Sequence, residues 1–305
     1  GTVETSEELA VLVRNDFIES RHAGSVVVVD PTGKVLFSKG DPNALVFPRS
    51  AMKLFQAMGI FSTGIELSPE FTALATSSHT GSAAHVELVR ELLATGGFTE
   101  ADLKCATEWP VNKDMLKQVY KADGTALPIY HCCSGKHAAM LLACKQEGWP
   151  TENYLDPNHP LQLKVREVIE DYAGEKILFT TPDGCGAPLH TLTVEGLARA
   201  IGRFTRDDTR IVDAMLDNAW AVDGHDTPDT LLMEAGFVAK LGAEGVFVVG
   251  TREGFGVAVK IADGNLRAAP LVALNMLLKH DLIDQNLYDD LSEKIAQKVT
   301  GGNLV

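Results

Sequence analysis

The sequence has little positive charge. Its 305 residues carry 27 Lys and Arg against 41 Asp and Glu, which gives a formal net charge of −14. Nucleic acids and anionic membrane surfaces are bound by positive protein surfaces, which release counterions and attract headgroups. The charge balance therefore argues against nucleic acid and against a membrane as partners.

Long apolar runs are lacking as well. The longest aliphatic stretches, such as 26–29, are far shorter than the roughly 18 residues that a membrane-spanning helix needs. The first ten residues, GTVETSEELA, contain three glutamates and nothing like the apolar segment of a secretory signal. We therefore expect no transmembrane helix and a cytoplasmic location.

Cysteine is sparse and irregularly spaced. The five cysteines are Cys105, Cys132, Cys133, Cys144 and Cys185. An odd number at these spacings, in a chain of this length, favours free thiols or metal ligands over a disulfide scaffold. Because no Cys-x2-Cys pair occurs, spacing alone predicts buried thiols more readily than a structural zinc site.

The remaining composition is that of a globular protein, 45% hydrophobic and 22% charged. Alternating apolar residues around turns predict hairpins at 24–39 and 245–269. Apolar residues at intervals of three and four predict six helices between them. These segments are 51–61, 85–95, 136–146, 161–172, 194–205 and 210–221.

These patterns predict an α+β fold, an α/β sandwich. The first and last strands share one antiparallel sheet, and the middle of the chain forms helical layers around it. Since no linker, repeat or charge block marks a boundary, we expect a single domain over residues 1–305 with a helical portion at roughly 50–240.

The most suggestive local motif is Ser50-x2-Lys53, at the start of a predicted helix. Residues three apart share one helix face, and a buried lysine that has lost its proton can activate a serine as a nucleophile. The positive end of the helix dipole would favour the alkoxide. Taken alone, the motif is much more often a capping serine followed by a surface lysine.

Three further clusters carry reactive side chains. Ser78 and His79 lie in a polar segment that is typical of a loop capping the next helix, although a second serine there could bind substrate or pair with Lys260. Lys260 interrupts the apolar run 257–261, either as an outward-facing polar residue or as a late-strand lysine like that of serine β-lactamase-like enzymes. The third cluster, 131–137, contains two cysteines and two histidines, and 182–186 contains Cys185.

Taken together, these segments resemble the Rhizobium etli-type (class 3) L-asparaginases, of the asparaginase II family with a serine β-lactamase-like fold. The resemblance covers residues 10–300. The matching segments, in order, are Glu19-Ser20-Arg21-His22, Pro48-Arg49-Ser50-x2-Lys53, Ser78-His79-x-Gly81, Cys133-Ser134-Gly135-Lys136-His137-Ala138, Gly148-Trp149-Pro150, Tyr154-Leu155-Asp156-Pro157, Asp183-Gly184-Cys185 and Val259-Lys260-Ile261-x-Asp263-Gly264.

The resemblance implies roles for ten residues. Two Ser-Lys pairs, Ser50 with Lys53 and Ser78 with Lys260, would be catalytic. Three residues, Arg49, His79 and Asp183, would bind substrate. Three more, Cys133, Lys136 and Cys185, would hold a zinc ion, with the lysine bound as its neutral amine.

The implied reaction is hydrolysis of L-asparagine to L-aspartate and ammonia by a homodimeric enzyme. Lys53 would deprotonate Ser50 for attack on the side-chain amide, and Ser78 with Lys260 would relay protons and stabilise the oxyanion. Two alternatives stay open at this point. One is a glutaminase or another amidohydrolase, such as a β-lactam-type acyl enzyme, on the same scaffold; the other is a zinc-binding protein without activity.

Overall fold

Strands from both ends of the chain form one antiparallel sheet in the computed structural model, which describes residues 1–297 and 299–305. The strands of the structure are β1 (Glu7–Arg14), β2 (Phe17–Val29), β3 (Val35–Lys39), β4 (Leu45–Val46), β5 (Thr180–Pro182), β6 (Pro188–His190), β7 (Leu192–Thr193), β8 (Val238–Gly242), β9 (Val246–Gly250), β10 (Gly256–Ile261) and β11 (Asn303–Leu304). The sheet has the order β11-β1-β2-β10-β9-β8, with β3 also paired to β2. The pairs β4-β7 and β5-β6 form two small ribbons.

The two predicted hairpins are confirmed as β2-β3 and β9-β10. The first turn is held by Asp30, whose Oδ1 accepts from the backbone N–H groups of Thr32 and Lys34 at 2.8 and 3.1 Å. In the centre of the sheet β10 pairs antiparallel with β2, and Val257 lies opposite Val28. The prediction that the first and last strands share a sheet is therefore confirmed.

The described residues also form twelve α-helices. They are α1 (Lys53–Phe61), α2 (Pro69–Ala75), α3 (Ala83–Thr95), α4 (Lys113–Lys121), α5 (Ser134–Glu147), α6 (Pro160–Ala173), α7 (Val194–Asp207), α8 (Thr209–Asp217), α9 (Ala219–Val222), α10 (Pro228–Glu234), α11 (Ala269–Lys279) and α12 (Gln285–Ile295). Each predicted helical segment contains a helix, but 210–221 is broken at Asn218 into α8 and α9. Among these described helices, none combines the length and the apolar character required to cross a bilayer.

Apolar side chains fill both faces of the sheet. Val27, Val248 and Ala258 face a core built by helices from the middle of the chain. The alternate positions, such as Val28 and Phe247, face a second core with α11 and α12, which follow the last long strand. The helix with Ser50 and Lys53 follows the N-terminal hairpin, as in the expected serine β-lactamase-like arrangement, so the predicted fold class is confirmed.

Glycine allows α7 to approach the sheet closely. A Cβ atom at Gly256 of β10 would lie 2.1 Å from the carbonyl oxygen of Ala198 in α7. Only glycine fits a contact this short between two backbones. The close packing fixes α7 against the centre of the sheet.

Candidate active site

Ser50 and Lys53 lie at the start of one continuous helical segment. A 3₁₀ turn, Arg49–Met52, leads directly into α1 and packs against β8. Arg49 has a positive φ of 53°, which is unusual for a residue other than glycine. Lys53 is buried, at 1% exposure, whereas Ser50 is only partly buried. The serine is therefore the more accessible member of the pair.

Ser78 lies in the loop after α2 and is brought directly to Lys53. The backbone N–H of Ser78 donates to the carbonyl oxygen of Val222 at 2.6 Å. Lys53 Nζ lies 2.7 Å from Ser78 Oγ and donates to the carbonyl oxygen of Ser77 at 2.8 Å. The backbone N–H of Lys53 donates to the carbonyl oxygen of Ser50, but within residues 1–297 and 299–305 no hydrogen bond joins their side chains. The first Ser-Lys pair and the second serine thus form one cluster.

The lysine that pairs with Ser78 is Lys240, so the expected Ser78-Lys260 pair is wrong. Lys240 lies on β8, is fully buried, and has its Nζ 2.7 Å from Ser78 Oγ. Lys260 lies on β10, two strands away, and donates to the carbonyl oxygen of Glu244. At about 4.8 Å per strand, that separation keeps Lys260 out of reach of the serine.

Sequence reasoning missed Lys240 although a signal was present. The run Val238–Gly242 is short and apolar except for this one lysine, as is the run around Lys260. A lone lysine within a buried strand is unusual, since lysine is almost never fully buried without a partner. Lys240 and Lys260 are each the single lysine of an apolar run, so the local pattern did not distinguish them.

Two buried lysines share the hydroxyl oxygen of Ser78. Both Nζ atoms are 2.7 Å from Ser78 Oγ, so they are at most twice that distance apart. Two ammonium ions at this separation repel by about 3 kcal/mol even at an effective dielectric constant of about 20. Burial, together with the charge of Lys53, lowers the pKa of Lys240 to about 8. This repulsion makes the loss of one proton from the two amines easier than from two separated lysines.

Arg49 and Asp183 form an ion pair beside Ser50. The guanidinium Nε donates to Asp183 Oδ1 at 2.9 Å, and the two side chains are 29% and 15% exposed. The loop that carries Asp183 is closed by its own backbone, since the N–H of Asp183 donates to the carbonyl oxygen of Ala187. A positive and a negative group that are both accessible can bind the two charged groups of an amino acid.

His79 is part of this cluster, but its ring faces the protein interior. The N–H of Gly81 donates to Nδ1 at 3.0 Å, so the proton is on Nε2, which donates to Ser134 Oγ at 2.7 Å. Burial, with the charges of His85 and Lys53, lowers the pKa of His79 well below its ordinary value. Both ring nitrogens are occupied, so the structure corrects the expected contact between this ring and substrate.

Cys133, Lys136 and Cys185 converge at the N-terminus of α5. Lys136 Nζ lies 3.5 Å from Cys185 Sγ, and the thiols of Cys133 and Cys185 affect each other's pKa. Hydrogen bonds from Cys132 and Cys185 hold the pKa of Cys133 well below its ordinary value. Burial lowers the pKa of Lys136, but the charges of Cys185, Cys133 and Asp183 outweigh it and raise that pKa.

The separation of these atoms fits a shared metal ion. A tetrahedral zinc with bonds of about 2.3 Å to sulfur and about 2.0–2.1 Å to nitrogen places the two ligands about 3.6 Å apart. The observed 3.5 Å between Lys136 Nζ and Cys185 Sγ agrees with that value. Two thiolates and an amine are also a donor set that zinc accepts, so the three residues could hold the ion.

A second grouping shares one of these ligands. His131, Cys132 and Cys133 have donor atoms within 4.8 Å of one another. The N–H of Cys133, however, donates to His131 Nδ1 at 3.0 Å, which uses the lone pair of that nitrogen. The set with Lys136 and Cys185 is therefore the better candidate.

Comparisons with known proteins agree with these features. A family model described as L-asparaginase II matches residues 10–305. No curated protein matched the sequence significantly.

Several solved structures matched at low identity. They include Mglu in its native form, at 14% identity over 86% of this chain and 65% of that chain, with a TM-score of 0.46. A β-lactamase from Mycobacterium bovis matched at 14% identity over 84% and 94% of the two chains, with a TM-score of 0.38. The probable glutaminase of Bacillus subtilis matched at 14% identity over 85% and 88%, with a TM-score of 0.37. This chain covers less than two thirds of the Mglu chain, and similarities of this size establish neither activity nor substrate.

Proposed function

The chain belongs to the L-asparaginase II family, and we propose that it is an amidohydrolase that converts L-asparagine and water to L-aspartate and ammonia. One observation carries the proposal: Ser78 Oγ lies 2.7 Å from the amines of both Lys53 and Lys240. Such a cluster supplies a nucleophile, a base and a proton donor without any histidine.

The ion pair of Arg49 and Asp183 supports an amino acid as the substrate. The guanidinium of Arg49 would bind the α-carboxylate, and the carboxylate of Asp183 would bind the α-ammonium. Because Arg49 adjoins Ser50 in sequence, the side-chain amide of an amino acid bound by the ion pair would lie near this serine. A short side chain such as that of asparagine fits this arrangement.

Ser50 is the proposed nucleophile. Its partial exposure suits attack, whereas Ser78 is only 8% exposed and lies between two lysines. As the general base, Lys53 takes the hydroxyl proton of Ser50 while the serine oxygen bonds to the amide carbon. The lack of a side-chain hydrogen bond between them in the free enzyme is compatible with this role, because such contacts often tighten only when substrate binds.

Ser78 and Lys240 complete the proton transfers. Protonated Lys240 stabilises the oxyanion and passes a proton through Ser78 Oγ to the leaving nitrogen, so that the C–N bond breaks and ammonia departs. Water then attacks the Ser50 ester, the C–O bond breaks, and Ser50 regains its proton while aspartate leaves. Lys53 and Lys240 return to their starting charges.

We also propose that Cys133, Lys136 and Cys185 hold zinc. When bound, the ion supplies a fixed positive charge that orients the charged groups of the substrate. Asp183, whose charge acts on Lys136, connects this site to the ion pair at the mouth. The residues of this chain provide the nucleophile by themselves, so the metal serves positioning.

Ammonia release from L-asparagine, L-glutamine and simple β-lactams tests the proposal. We expect asparagine to be the preferred substrate. One additional methylene in a pocket changes binding by only about 1–3 kcal/mol, so the ratio of kcat/KM values is the quantity that separates asparaginase from glutaminase. Preferred hydrolysis of glutamine or of a β-lactam would contradict the proposed substrate but not the assignment of the active site.

The Ser50→Ala variant identifies the nucleophile. We expect turnover to be lost while the fold is retained, and mass spectrometry of quenched wild-type enzyme to find the acyl group on the peptide with Ser50. Acylation at Ser78 instead would exchange the roles of the two serines. A wild-type protein that releases no ammonia from any amide while binding zinc would indicate the non-enzymatic alternative.

A further inference from the structure

Two buried carboxyl groups lie behind Lys240. Asp223 follows α9 and is 5% exposed, and Asp229 in α10 is fully buried. Each acid affects the pKa of the other, so the two side chains are neighbours. No step of the proposed reaction uses either residue, and burial of two acids side by side is costly unless they have a specific partner.

The segments that carry these acids hold both partners of the Ser78-Lys240 contact. Asp229 Oδ2 accepts from the N–H of Leu241, the residue after Lys240, at 2.8 Å. The carbonyl oxygen of Val222, the residue before Asp223, accepts from the N–H of Ser78 at 2.6 Å. The acids therefore connect the strand with the lysine to the loop with the serine.

Two buried carboxyl oxygens without a donor point to a proton shared by the two acids. Among the described residues, Asp223 Oδ2 and Asp229 Oδ1 are buried and have no donor directed at them. A proton held between the carboxyl groups satisfies such oxygens, as in other buried acid pairs. Burial and the charge of Asp229 raise the pKa of Asp223 to about 7, and burial raises the pKa of Asp229.

We propose that Asp223 and Asp229 are positioning residues that share one proton and carry a single negative charge, which keeps Lys240 protonated against Ser78. Four titratable groups face Lys240: the acids Asp223 and Asp229, the amine of Lys53 on α1, and the thiol of Cys132. As long as the thiol of Cys132 is protonated, only the two acids favour the charged form of Lys240. The effect of the acid pair on catalysis rests on the proposed function, in which Lys240 donates the proton to the leaving nitrogen.

A shared proton makes an unusual prediction for substitutions. Replacing either aspartate with asparagine leaves the other free to ionise, so the pair keeps one negative charge. The Asp223→Asn and Asp229→Asn variants should each change the pKa of Lys240 by less than about half a unit. The double variant removes the charge and should lower that pKa by about one unit or more.

The test is NMR titration of full-length protein labelled with ¹³C at lysine Cε and at aspartate Cγ, with the Lys240 signal assigned from its loss in Lys240→Met. Asp208→Asn is the matched control, since Asp208 is a partly buried acid that caps α8 through the N–H of Ile211. This control should leave the Lys240 titration unchanged. The carboxyl signals of unmodified protein should show one proton on the pair at about pH 6, which requires no variant to fold.

Three results would overturn the inference. They are two fully ionised carboxylates at about pH 6, single substitutions whose effects add up to that of the double variant, and a Lys240 titration unmoved in the double variant. These readouts do not depend on turnover. A protein that releases no ammonia but shows the predicted titrations would contradict the proposed function and leave the acid pair standing, whereas the reverse result would contradict the acid pair alone.

Discussion

Replacing Lys240 or Lys260 with methionine is the sharpest test of the site. Lys240 is fully buried and touches Ser78 Oγ, whereas Lys260 is only partly buried and bonded to a backbone carbonyl. Methionine keeps the length of the side chain and removes its charge and donors. The two variants therefore make the same chemical change at a site that contacts the serine and at a less buried site that does not.

Lys240→Met should lose activity without losing stability. General acid-base groups contribute about 10²–10⁴-fold to the rate, and kcat should fall by that amount. The pKa of Lys240, lowered to about 8 by burial and by Lys53, means that the charged lysine opposes folding by about 3 kcal/mol at pH 7. That penalty is fully present below pH 8 and is relieved as the pH rises through 8 toward the unfolded value of about 10.4. Removing the charge should thus leave the free energy of unfolding equal or greater.

Lys260→Met should behave differently. We expect kcat within about threefold of the wild type and a change in stability within about 0.5 kcal/mol, as for most surface substitutions. Steady-state ammonia release over a wide range of asparagine concentrations gives kcat and KM, and urea unfolding at pH 7 gives stability. A Lys240→Met enzyme that keeps more than about a tenth of kcat, or a Lys260→Met enzyme that loses as much as it does, would refute the assignment of the relay lysine.

Three further predictions concern metal, packing and pH. Cys185→Ser should remove zinc, detected by elemental analysis as a loss of about one equivalent. It should also raise KM much more than it lowers kcat. A collapse of kcat at unchanged KM would place the metal in the reaction path. Gly135→Ala should destabilise the protein by about 1–3 kcal/mol in urea unfolding, because its Cβ would lie 2.6 Å from the carbonyl oxygen of Leu74, and an unchanged midpoint would contradict this packing. Stability should fall as the pH drops below about 6.5, because His79 takes up a proton in the unfolded chain but resists protonation when buried. The dependence of stability on pH should be weaker in His79→Gln. An equal dependence in this variant would assign the effect to other groups.

Several features could be predicted because their cause is local. Hairpins β2-β3 and β9-β10 follow from alternating apolar residues around turn residues. The proximity of Ser50 and Lys53 follows from three-residue spacing on one helical segment. By contrast α11 is apolar on nearly every face, so it has no amphipathic period to recognise. Strand β1 was missed because it begins with two exposed glutamates and its polar and apolar residues do not alternate.

The candidate metal ligands depended on more than local pattern. Lys136 and Cys185 are 49 residues apart in sequence, and spacing alone favoured free thiols. The family resemblance put them together, and the structure places their donor atoms 3.5 Å apart. Contacts of this kind arise from the way α5 and the loop after β5 pack, which no single segment encodes.

The identity of the second lysine was decided by the tertiary structure alone. Lys240 and Lys260 each interrupt a short apolar strand, and both face the same side of the sheet, since Lys240 lies level with Val248 and Ala258. The sequence by itself therefore determined that a strand lysine was available near the C-terminus. The order of the strands selected which one: β8 lies beside the turn that carries Ser50, whereas β10 is held in the centre of the sheet between β2 and β9. Strand order follows from long-range pairing of the whole chain, so the residues around each lysine could not reveal it.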